Sequence, residues 1–348
     1  MTKPGTTFAK RVLDWWDQHG RKDLPWQQDR TPYRVWISEI MLQQTQVGTV
    51  IPYFERFMER FPDLPSLAGA NRDTVLGLWS GLGYYSRARN LHLAARQCVE
   101  QYKGALPASL EQLQTLPGIG RSTAAAIMAQ AFDRPYAILD GNVKRLLARH
   151  AGIKGWTGQG AVSRKLWAES EQRLTSQRPA DYTQAIMDLG AMVCVRGKPR
   201  CNQCPVSGDC HALAQNMTSE LPTPRPKRVL PQKQTTMLLA VDERDRILLE
   251  RRPETGVWAG LWCLPEVDDI EESLGRHGLE EQHKKVMQTV KHRFTHYALD
   301  IKPVLVKCRH NGRAIASADR QGWFNCEELR ELGLPQPVRH LLENREAK

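Results

Sequence analysis

The sequence predicts two folds in one chain, an all-α region followed by a smaller α+β domain. Apolar residues recur with the period of an α-helix up to about residue 193, and no stretch there alternates as a strand would. Residues 221–233 are rich in proline and basic side chains and lack acids, a composition typical of an extended linker. Beyond them, two apolar runs flank an Asp-Glu-Arg-Asp turn and predict neighbouring strands. We therefore predict domains at residues 1–220 and 234–348.

Local signals place the individual elements. Residues 6–20 form an amphipathic pattern with Trp15 and Trp16 on its apolar side. Thr31 and Pro32 are a suitable N-cap and first residue for the next long helix, which is predicted to run to about residue 45. The other helices of this region are predicted at 47–61, 72–79, 84–103, 110–115, 121–132, 142–150, 161–175 and 180–193. In the second domain we predict strands at TTMLLAVD, RILLERR and LDIKPVLVKC, and helices near 269–276 and 325–332.

Charge and length limit the partners of the chain. Its 348 residues carry a formal net charge of +11 with a pI near 9.4, which favours a polyanion, with nucleic acid ahead of an acidic membrane surface. No apolar run reaches the roughly 18 to 20 residues needed to span a bilayer, and the N-terminus shows no signal peptide pattern. We expect a cytoplasmic protein without membrane contact, in which the eight cysteines are reduced.

Four of the cysteines, Cys194, Cys201, Cys204 and Cys210, follow one another with the spacing C-x6-C-x2-C-x5-C. Four thiolates this close together suit either zinc or an iron–sulfur cluster. Zinc sites usually pair two C-x2-C halves across a longer loop, and this single-loop spacing differs from that arrangement. The pattern predicts a metal centre in the loop 194–210, and the residues alone leave both metals open.

A Leu-Pro-Gly-Ile-Gly turn joins two predicted helices within residues 110–132. Backbone N–H groups at the start of the second helix suit a phosphate oxygen, and Gly118 and Gly120 allow a phosphate to approach closely. The alternative is an ordinary helical hairpin with a glycine turn. Asp140 follows 22 residues after Gly118, between an extended YAIL run and a new helix. It is therefore either a functional acid or the N-cap of that helix.

This order of features resembles the helix-hairpin-helix DNA glycosylase superfamily, in which a hairpin with a Gly/Pro loop precedes a catalytic Asp. Gly118, Pro135 and Asp140 fit that pattern. The cysteine spacing is similar to the loop of endonuclease III-like glycosylases, which implies a [4Fe–4S] cluster rather than zinc. The stretch WISEIMLQQTQVGTVIPYFERF resembles the adenine-excising branch, the MutY-type adenine DNA glycosylases. The resemblance implies an all-α helix-hairpin-helix glycosylase region with an iron–sulfur cluster loop.

Two acids are assigned catalytic roles by this resemblance. Glu39 stands at the place of the acid–base catalyst, Asp140 would stabilise the cationic sugar, and Asn142 would hold Asp140 by a hydrogen bond. The chemistry needs such a pair, because a protonated carboxyl allows adenine to leave as a neutral base and a nearby carboxylate stabilises the oxocarbenium-like sugar. Spacing alone favours Glu39 as a surface residue between the buried positions Ile37 and Ile40.

Ser122 stands where endonuclease III-like lyases place a Lys that attacks the sugar as an amine. Residues 116–139 contain no Lys, so no Schiff-base step is expected from this position. The resemblance therefore implies a monofunctional glycosylase. Some family members carry Tyr here, which leaves the role of Ser122 open.

Further side chains are candidates for contact with DNA or with a flipped base. They are Trp26, Gln43, Gln44, Thr45, Leu82, Tyr84, Gly118, Gly120 and Gln184. Amides at a helix end, as in the Gln43–Thr45 segment, can bond base edges. Leu82 and Tyr84 are expected to insert beside the base opposite adenine, the alternative being burial at a helix start. Trp26 is a pocket wall or a core residue, and Gln184 lines the pocket or is exposed.

The C-terminal stretch RRPETGVWAGLWCLPE resembles the beginning of a Nudix hydrolase, but the acidic metal-binding box that should follow is missing. The resemblance implies an α+β Nudix-like domain without hydrolase activity, as in the MutY-type family, where this domain recognises 8-oxoguanine. Phe294, Thr295 and His296 stand where family members show Phe-Ser-His. The alternative for Phe294 and His296 is packing within a hairpin.

Together these features imply a monofunctional adenine DNA glycosylase of base excision repair, acting on double-stranded DNA with A:8-oxoguanine or A:G mispairs. We expect a monomer that is cytoplasmic and bound to the bacterial nucleoid while on DNA. Three alternatives stay open: an endonuclease III-like lyase for damaged pyrimidines, a non-catalytic iron–sulfur DNA-binding protein, and a Nudix nucleotide hydrolase. Glu39 and Ser122 argue against the first, and the missing Nudix box argues against the third.

Overall fold

The computed structural model describes residues 7–226, 229–310 and 320–345. It divides into two compact units, one made of Met1–Ala68 with Leu93–Lys227 and the other of Gly69–His92 with Arg228–Lys348. Lys227 and Arg228 of the predicted linker lie outside the described residues. None of the described helices is long and apolar enough to cross a membrane.

The helices of the first region agree with the sequence-based prediction within a few residues, except that three short ones, Pro25–Gln28, Leu64–Ala68 and His211–Ala214, were not predicted. They are α1 (Phe8–His19), α2 (Pro25–Gln28), α3 (Pro32–Leu42), α4 (Val47–Arg60), α5 (Leu64–Ala68), α6 (Arg72–Leu78), α7 (Ser86–Gln101), α8 (Leu110–Thr115), α9 (Arg121–Phe132), α10 (Gly141–His150), α11 (Gly160–Gln172), α12 (Pro179–Asp188) and α13 (His211–Ala214). The segment predicted to end at residue 193 is α-helical only to Asp188 and continues as a π-helix over Leu189–Val193. Helix α6 and the start of α7 belong to the second unit.

Helix α9 lies at the centre of the first unit. Ala124, Ala125, Ala126 and Ala129 are all buried, and such short side chains allow neighbouring helices to approach closely. Helices α3, α8 and α12 pack against α9, and α1 packs against α12. The predicted apolar side of α1 is buried in the same core as α10 and α12. This arrangement places one face each of α3, α9 and α12 side by side.

The second unit is built on a mixed sheet. Its strands are β1 (Gln232–Val241), β2 (Ile247–Arg251), β3 (Trp262–Cys263), β4 (Glu266–Val267), β5 (Leu279–Val286), β6 (Val290–Arg293), β7 (Ala298–His310) and β8 (Gln321–Phe324). Among the described residues the order is β3-β2-β1-β7-β5, with β4 on β1, β6 on β7 and β8 on β2. Strands β1 and β7 are parallel, from Gln232 opposite Ala298 to Val241 opposite Lys307. Helices α14 (Ile270–Arg276), α15 (Cys326–Glu331) and α16 (Gln336–Glu343) complete the unit.

The linker in the structure is shorter at both ends than the predicted range, 221–233. Leu221 is buried, and its carbonyl accepts a hydrogen bond from Arg149 Nε at 2.7 Å. The Thr223 hydroxyl accepts from the Gly155 N–H at 2.9 Å. At the other end, strand β1 already begins at Gln232. Composition indicated an extended chain here, but it could not show these partners, which lie far away in sequence.

Residues 69–92 were assigned to the N-terminal domain from sequence, whereas the structure groups them with the C-terminal residues. The Tyr85 hydroxyl donates to the Leu334 carbonyl at 2.7 Å, and Arg89 donates to the Ala259 carbonyl at 2.7 Å. Arg72 forms two hydrogen bonds with Glu254, at 2.8 and 2.9 Å. Removing the chain after residue 225 would therefore also remove the partners of this segment.

Candidate active site and cysteine loop

Glu39 is held on α3 by local signals and directed towards α9. The helix begins as predicted, with the Thr31 hydroxyl accepting from the Arg34 N–H at 3.3 Å and Pro32 at the first position. Ile37 and Ile40 are buried and Glu39 between them is half-buried. Its Oε1 accepts a hydrogen bond from Gln130 Nε2 on α9 at 3.0 Å. Glu39 is thus a partner of the core rather than a solvated surface residue.

The environment of Glu39 favours its protonated form. Burial raises the pKa of the Glu39 carboxyl to about 7, and the nearby charge of Asp140 acts in the same direction. The hydrogen bond from Gln130 opposes this rise, because it favours the ionised carboxylate. A substantial fraction of Glu39 therefore carries a proton at neutral pH, as a general acid requires.

Asp140 occupies the N-cap of α10, so the capping interpretation is confirmed. Its Oδ1 accepts from the Val143 N–H at 2.7 Å, and its Oδ2 accepts from Asn142 Nδ2 at 3.2 Å. The Asn142 amide is itself oriented by Arg145, which donates to Asn142 Oδ1 at 2.9 Å. The pKa of Asp140 is raised overall, because the effect of burial outweighs the hydrogen bonds from Val143 and Asn142, which lower it. These donors hold Asp140 in one position and favour its charged form.

Ser122 holds the segment that leads to Asp140. Its Oγ accepts a hydrogen bond from the Leu139 N–H at 3.0 Å. The preceding carbonyl, that of Ile138, accepts from the buried Ser170 hydroxyl at 2.7 Å. Two hydroxyl groups therefore fix the extended chain immediately before the acid, so Ser122 has a positional role in this structure.

The hairpin turn between α8 and α9 contains the two glycines that were predicted to approach a phosphate. Gly118 has a φ of +81°, a conformation that glycine adopts without strain. Gly120 is the N-cap of α9 and makes no side-chain capping bond. A Cβ added to Gly120 would meet nothing within 4 Å, so the space beside this helix start is open. Whether the N–H groups at the start of α9 bind an anion stays a prediction.

The segment after α3 and the two pocket candidates have different environments. Gln43 donates to the Thr123 hydroxyl at 3.3 Å, whereas Gln44 is exposed with a φ of +61°. Thr45 is half-buried, and its hydroxyl donates to the Gln43 carbonyl at 3.5 Å. Trp26 is 2% exposed and packs edge to face on Phe54. This agrees with the alternative that Trp26 is a core residue.

Gln184 on α12 is buried, so the alternative of an exposed polar residue is wrong. It is 3% exposed, its Oε1 accepts from Gln27 Nε2 at 2.6 Å, and its Nε2 donates to Asp188 Oδ1 at 2.8 Å. Gln27 and Gln130 were both missed by the sequence analysis. The available signal for Gln130 was a single amide inside the otherwise apolar run AAAIMAQAF. That pattern marks a polar group that needs a buried partner.

The four cysteines of the loop lie around one pocket. Cys194, Cys201, Cys204 and Cys210 all contribute to its lining. Arg149 Nη1 lies 3.4 Å from Cys194 Sγ, so a guanidinium is placed against a sulfur that a cluster would leave negatively charged. Among the described residues, no group of three or more His, Cys, Asp or Glu side chains is arranged to hold a metal ion. Four free thiols, one pocket and a neighbouring cation nevertheless form a donor set that fits an iron–sulfur cluster.

The chain is similar to known proteins over most of its length. A family model described as HhH-GPD superfamily base excision DNA repair protein matches residues 37–172, and one described as NUDIX domain matches residues 236–344. The chain is 38% identical over 344 residues to the adenine DNA glycosylase of Buchnera aphidicola subsp. Acyrthosiphon pisum (strain APS), a match that covers 97% of each chain. The human adenine DNA glycosylase is 36% identical over 359 residues, covering 84% of this chain and 66% of the human one. The chain belongs to the adenine DNA glycosylase family. The predicted family and the two predicted folds are thereby confirmed.

Solved structures support the fold of the first unit of the glycosylase. A thermostable thymine-DNA glycosylase is similar with a TM-score of 0.54 and 27% identity, covering 60% of this chain and 95% of that one. An endonuclease III in a non-covalent DNA complex gives a TM-score of 0.51 at 20% identity, covering 60% and 94%. The second likeness shows the fold alone.

In the second unit of the glycosylase, Leu82 and Tyr84 differ sharply in exposure. Leu82 is 6% exposed, which agrees with the alternative of burial at a helix start rather than with insertion into DNA. Tyr84 is 49% exposed, has a φ of +51° and lies under the Arg87 guanidinium, 5.6 Å from its ring centroid. A residue that extends its ring to solvent from a strained backbone remains a candidate wedge.

The Phe294–His296 loop of the glycosylase combines packing and exposure. Phe294 contacts the rings of Trp258 and Tyr297 at centroid distances of 5.3 and 4.7 Å, and its N–H donates to the Tyr297 carbonyl at 2.9 Å. Hairpin packing is therefore correct for Phe294. Thr295 and His296 are exposed at the tip, and the His296 ring also packs edge to face on Tyr297 at a centroid distance of 4.8 Å.

Proposed function

We propose that the chain hydrolyses the N-glycosidic bond of adenine opposite 8-oxoguanine or G in duplex DNA, and that it does so without cutting the strand. The observation that carries the proposal is the pair of acids in the first unit. Burial raises the pKa of Glu39 to about 7 and the charge of Asp140 acts in the same direction, so the two carboxyls act on each other. Two acids with different environments, one protonated and one fixed by hydrogen bonds, suit the departure of a purine.

Each acid has a separate role in the reaction. The protonated Glu39 carboxyl donates its proton to N7 of a flipped adenine, so that the glycosidic electron pair leaves with a neutral base. Asp140 stabilises the positive charge that develops on the sugar. Glu39, now a carboxylate, accepts a proton from the water that attacks the sugar carbon. Asn142 and the Val143 N–H keep Asp140 in place while the charge forms.

A lyase step has no amine at the position where related bifunctional enzymes carry one. Ser122 occupies that place, and its hydroxyl oxygen accepts a hydrogen bond from the Leu139 N–H. We therefore expect an abasic product that is cleaved only after alkali treatment. A strand that is uncut after enzyme treatment and is cleaved after alkali supports the glycosylase; direct cleavage would favour the lyase alternative.

Cys194, Cys201, Cys204 and Cys210 would hold a [4Fe–4S] cluster, which when bound supplies a rigid core for the loop. We predict that Cys204→Ser greatly reduces the iron and sulfide content of the purified protein and lowers its melting temperature, because one of the four ligands is lost. Metal analysis and a thermal melt measure both. Cys326→Ser, at an exposed cysteine outside the loop, should leave both unchanged. Zinc in place of iron and sulfide would contradict the cluster.

The exposed tip of the second unit is proposed to read the opposite base. We predict that Thr295→Val lowers the preference for A:8-oxoguanine over A:G by about tenfold, the size of one lost hydrogen bond in a partly shielded site. Single-turnover rates on the two duplexes measure the preference. Thr289→Val, at another exposed threonine of the same unit, is the matched control. An unchanged preference in Thr295→Val would place the recognition elsewhere.

The remaining proposals concern the state of the protein. We propose that it acts as a monomer on double-stranded DNA, in the cytoplasm and at the nucleoid. The net charge of +11 supports an electrostatic contribution to this binding, which weakens as salt rises.

A further inference from the structure

A row of buried amides connects Glu39 to the ion pair formed by Asp188 and Arg21. Gln130 on α9, Gln27 on α2 and Gln184 on α12 are 5%, 8% and 3% exposed, and Asp188 at the end of α12 is fully buried. Each member contacts the next through side-chain atoms alone. Such a row in a protein core is informative, because every buried amide needs partners and can satisfy them in only a few orientations.

Asp188 fixes the direction of the row. As a carboxylate it only accepts hydrogen bonds, and Arg21 Nη2 donates to its Oδ1 at 2.6 Å while the Trp16 indole N–H donates to Oδ2 at 3.2 Å. Gln184 must therefore present its NH₂ group to Asp188, which it does at 2.8 Å. Its carbonyl oxygen is left facing Gln27, whose NH₂ group donates to it at 2.6 Å.

The same logic continues to Glu39. Gln27 Nε2 also donates to Gln130 Oε1 at 2.9 Å, so the Gln130 amide presents its NH₂ group to Glu39 Oε1 at 3.0 Å. Turning any of these amides around would place two donors or two acceptors against each other. Within the described structure, Gln27 Oε1 is buried without a hydrogen-bond partner. Both N–H donors of Gln27 lie in the row, and its oxygen is left unpaired. The hydrogen bonds of the row must offset the free-energy cost of that unpaired oxygen.

We propose that Gln130 is a positioning residue that orients the Glu39 carboxyl for proton donation, and that Gln27, Gln184 and the Asp188–Arg21 pair hold Gln130 in the required orientation. The proposal rests on the function proposed for Glu39. Because Gln130 can only donate to Glu39 Oε1, the acidic proton of Glu39 is confined to Oε2. That oxygen is then the one that faces the leaving base.

The electrostatic surroundings of Glu39 predict a distinctive pH signature. Asp140, at the start of α10, is the charged group that raises the pKa of Glu39, and the Gln130 amide on α9 lowers it. The cation on the first turn of α9, Arg121, is paired with Glu171. Loss of the Gln130 donor should therefore raise the pKa of Glu39. The Glu39 carboxyl should then keep its proton to higher pH, even though it is less well oriented.

We predict that Gln130→Met lowers the single-turnover rate of adenine release at its pH plateau by about tenfold to a hundredfold, the range expected when a reacting group loses its fixed orientation. At the same time the alkaline limb of the pH profile should move to higher pH. Gln27→Met leaves Gln130 present but unanchored, and should change both quantities in the same directions by less. The rates are measured on an A:8-oxoguanine duplex with enzyme in excess.

Met128→Leu, a volume-conserving change at a buried site on the same helix, is the matched control and should keep both the plateau and the limb. Circular dichroism melts show whether each variant is folded. If Gln130→Met lowers the plateau rate but leaves the alkaline limb of the pH profile unmoved, the role of Gln130 is merely structural and the proposal is overturned. A Gln130→Met profile identical to that of the wild type would also overturn it. If the wild-type protein releases no adenine, the proposed function fails first, independently of Gln130.

Discussion

Replacing Glu39 by Gln is expected to abolish adenine release. The amide keeps the size of the side chain and still accepts a hydrogen bond from Gln130, but it has no acidic proton for the base. General acid catalysis contributes about 10²- to 10⁴-fold, and the same residue later serves as the base, so we expect a loss at or beyond the upper end of that range. Single-turnover base release from an A:8-oxoguanine duplex measures it.

The control for this variant is Glu55→Gln, at an exposed carboxyl on α4, which should react as the wild type does. Undiminished release by Glu39→Gln would mean that the acid is another residue. Binding of the variant to the duplex should persist, since the amide removes no positive charge. This separates a failure of chemistry from a failure of recognition.

The same substitution should stabilise the protein in alkaline solution. The folded-state pKa of Glu39 is raised from 4.5 to about 7, so folding favours the protonated form. The stability that Glu39 contributes is present below pH 4.5, is lost as the pH rises to about 7, and stays lost above that. The loss is on the order of 3 kcal/mol. Thermal melts at pH 8 should therefore show a higher melting temperature for Glu39→Gln than for the wild type.

Replacing Asp140 by Asn is expected to have the second largest effect. Asn is as good an N-cap as Asp, so α10 should remain intact while the negative charge is lost. Removing a charge that stabilises a transition state costs about 10²- to 10³-fold in rate. The same change removes the charge that raises the pKa of Glu39, so the alkaline limb of the residual activity should move to lower pH.

Asp140→Asn and Gln130→Met are thus predicted to move the alkaline limb in opposite directions. A general disturbance of the fold would not produce this contrast. An Asp140→Asn rate close to that of the wild type would reduce Asp140 to its capping role, and a limb that stays in place would mean that its charge does not act on Glu39.

Features that depend on nearby residues were predictable from the sequence. The N-cap at Thr31 and the hairpin glycines involve partners within a few positions, so composition and spacing sufficed. The helices of the first unit followed from apolar periodicity for the same reason. The catalytic pair itself came from resemblance, since spacing alone left Glu39 as a surface residue.

Features that depend on distant residues were not predictable. Gln130 meets Glu39 across 91 positions, and Gln27 meets Gln184 across 157. Strand β5 escaped prediction because nearly all of its residues are exposed, so it has no apolar alternation. Leu82 and Tyr84 are only two positions apart, yet one is buried and the other exposed, which only the packing of residues 69–92 decides.

The central claim is that Glu39 supplies the proton, and the pH dependence of wild-type turnover tests it most directly. Single-turnover adenine release from an A:8-oxoguanine duplex should be measured between about pH 5 and pH 9, a range that brackets the expected pKa. We predict a plateau at low pH and a fall above a pKa near 7, the value set by burial and Asp140. A rate that stays constant or rises through this range would contradict the assignment of Glu39 as the general acid.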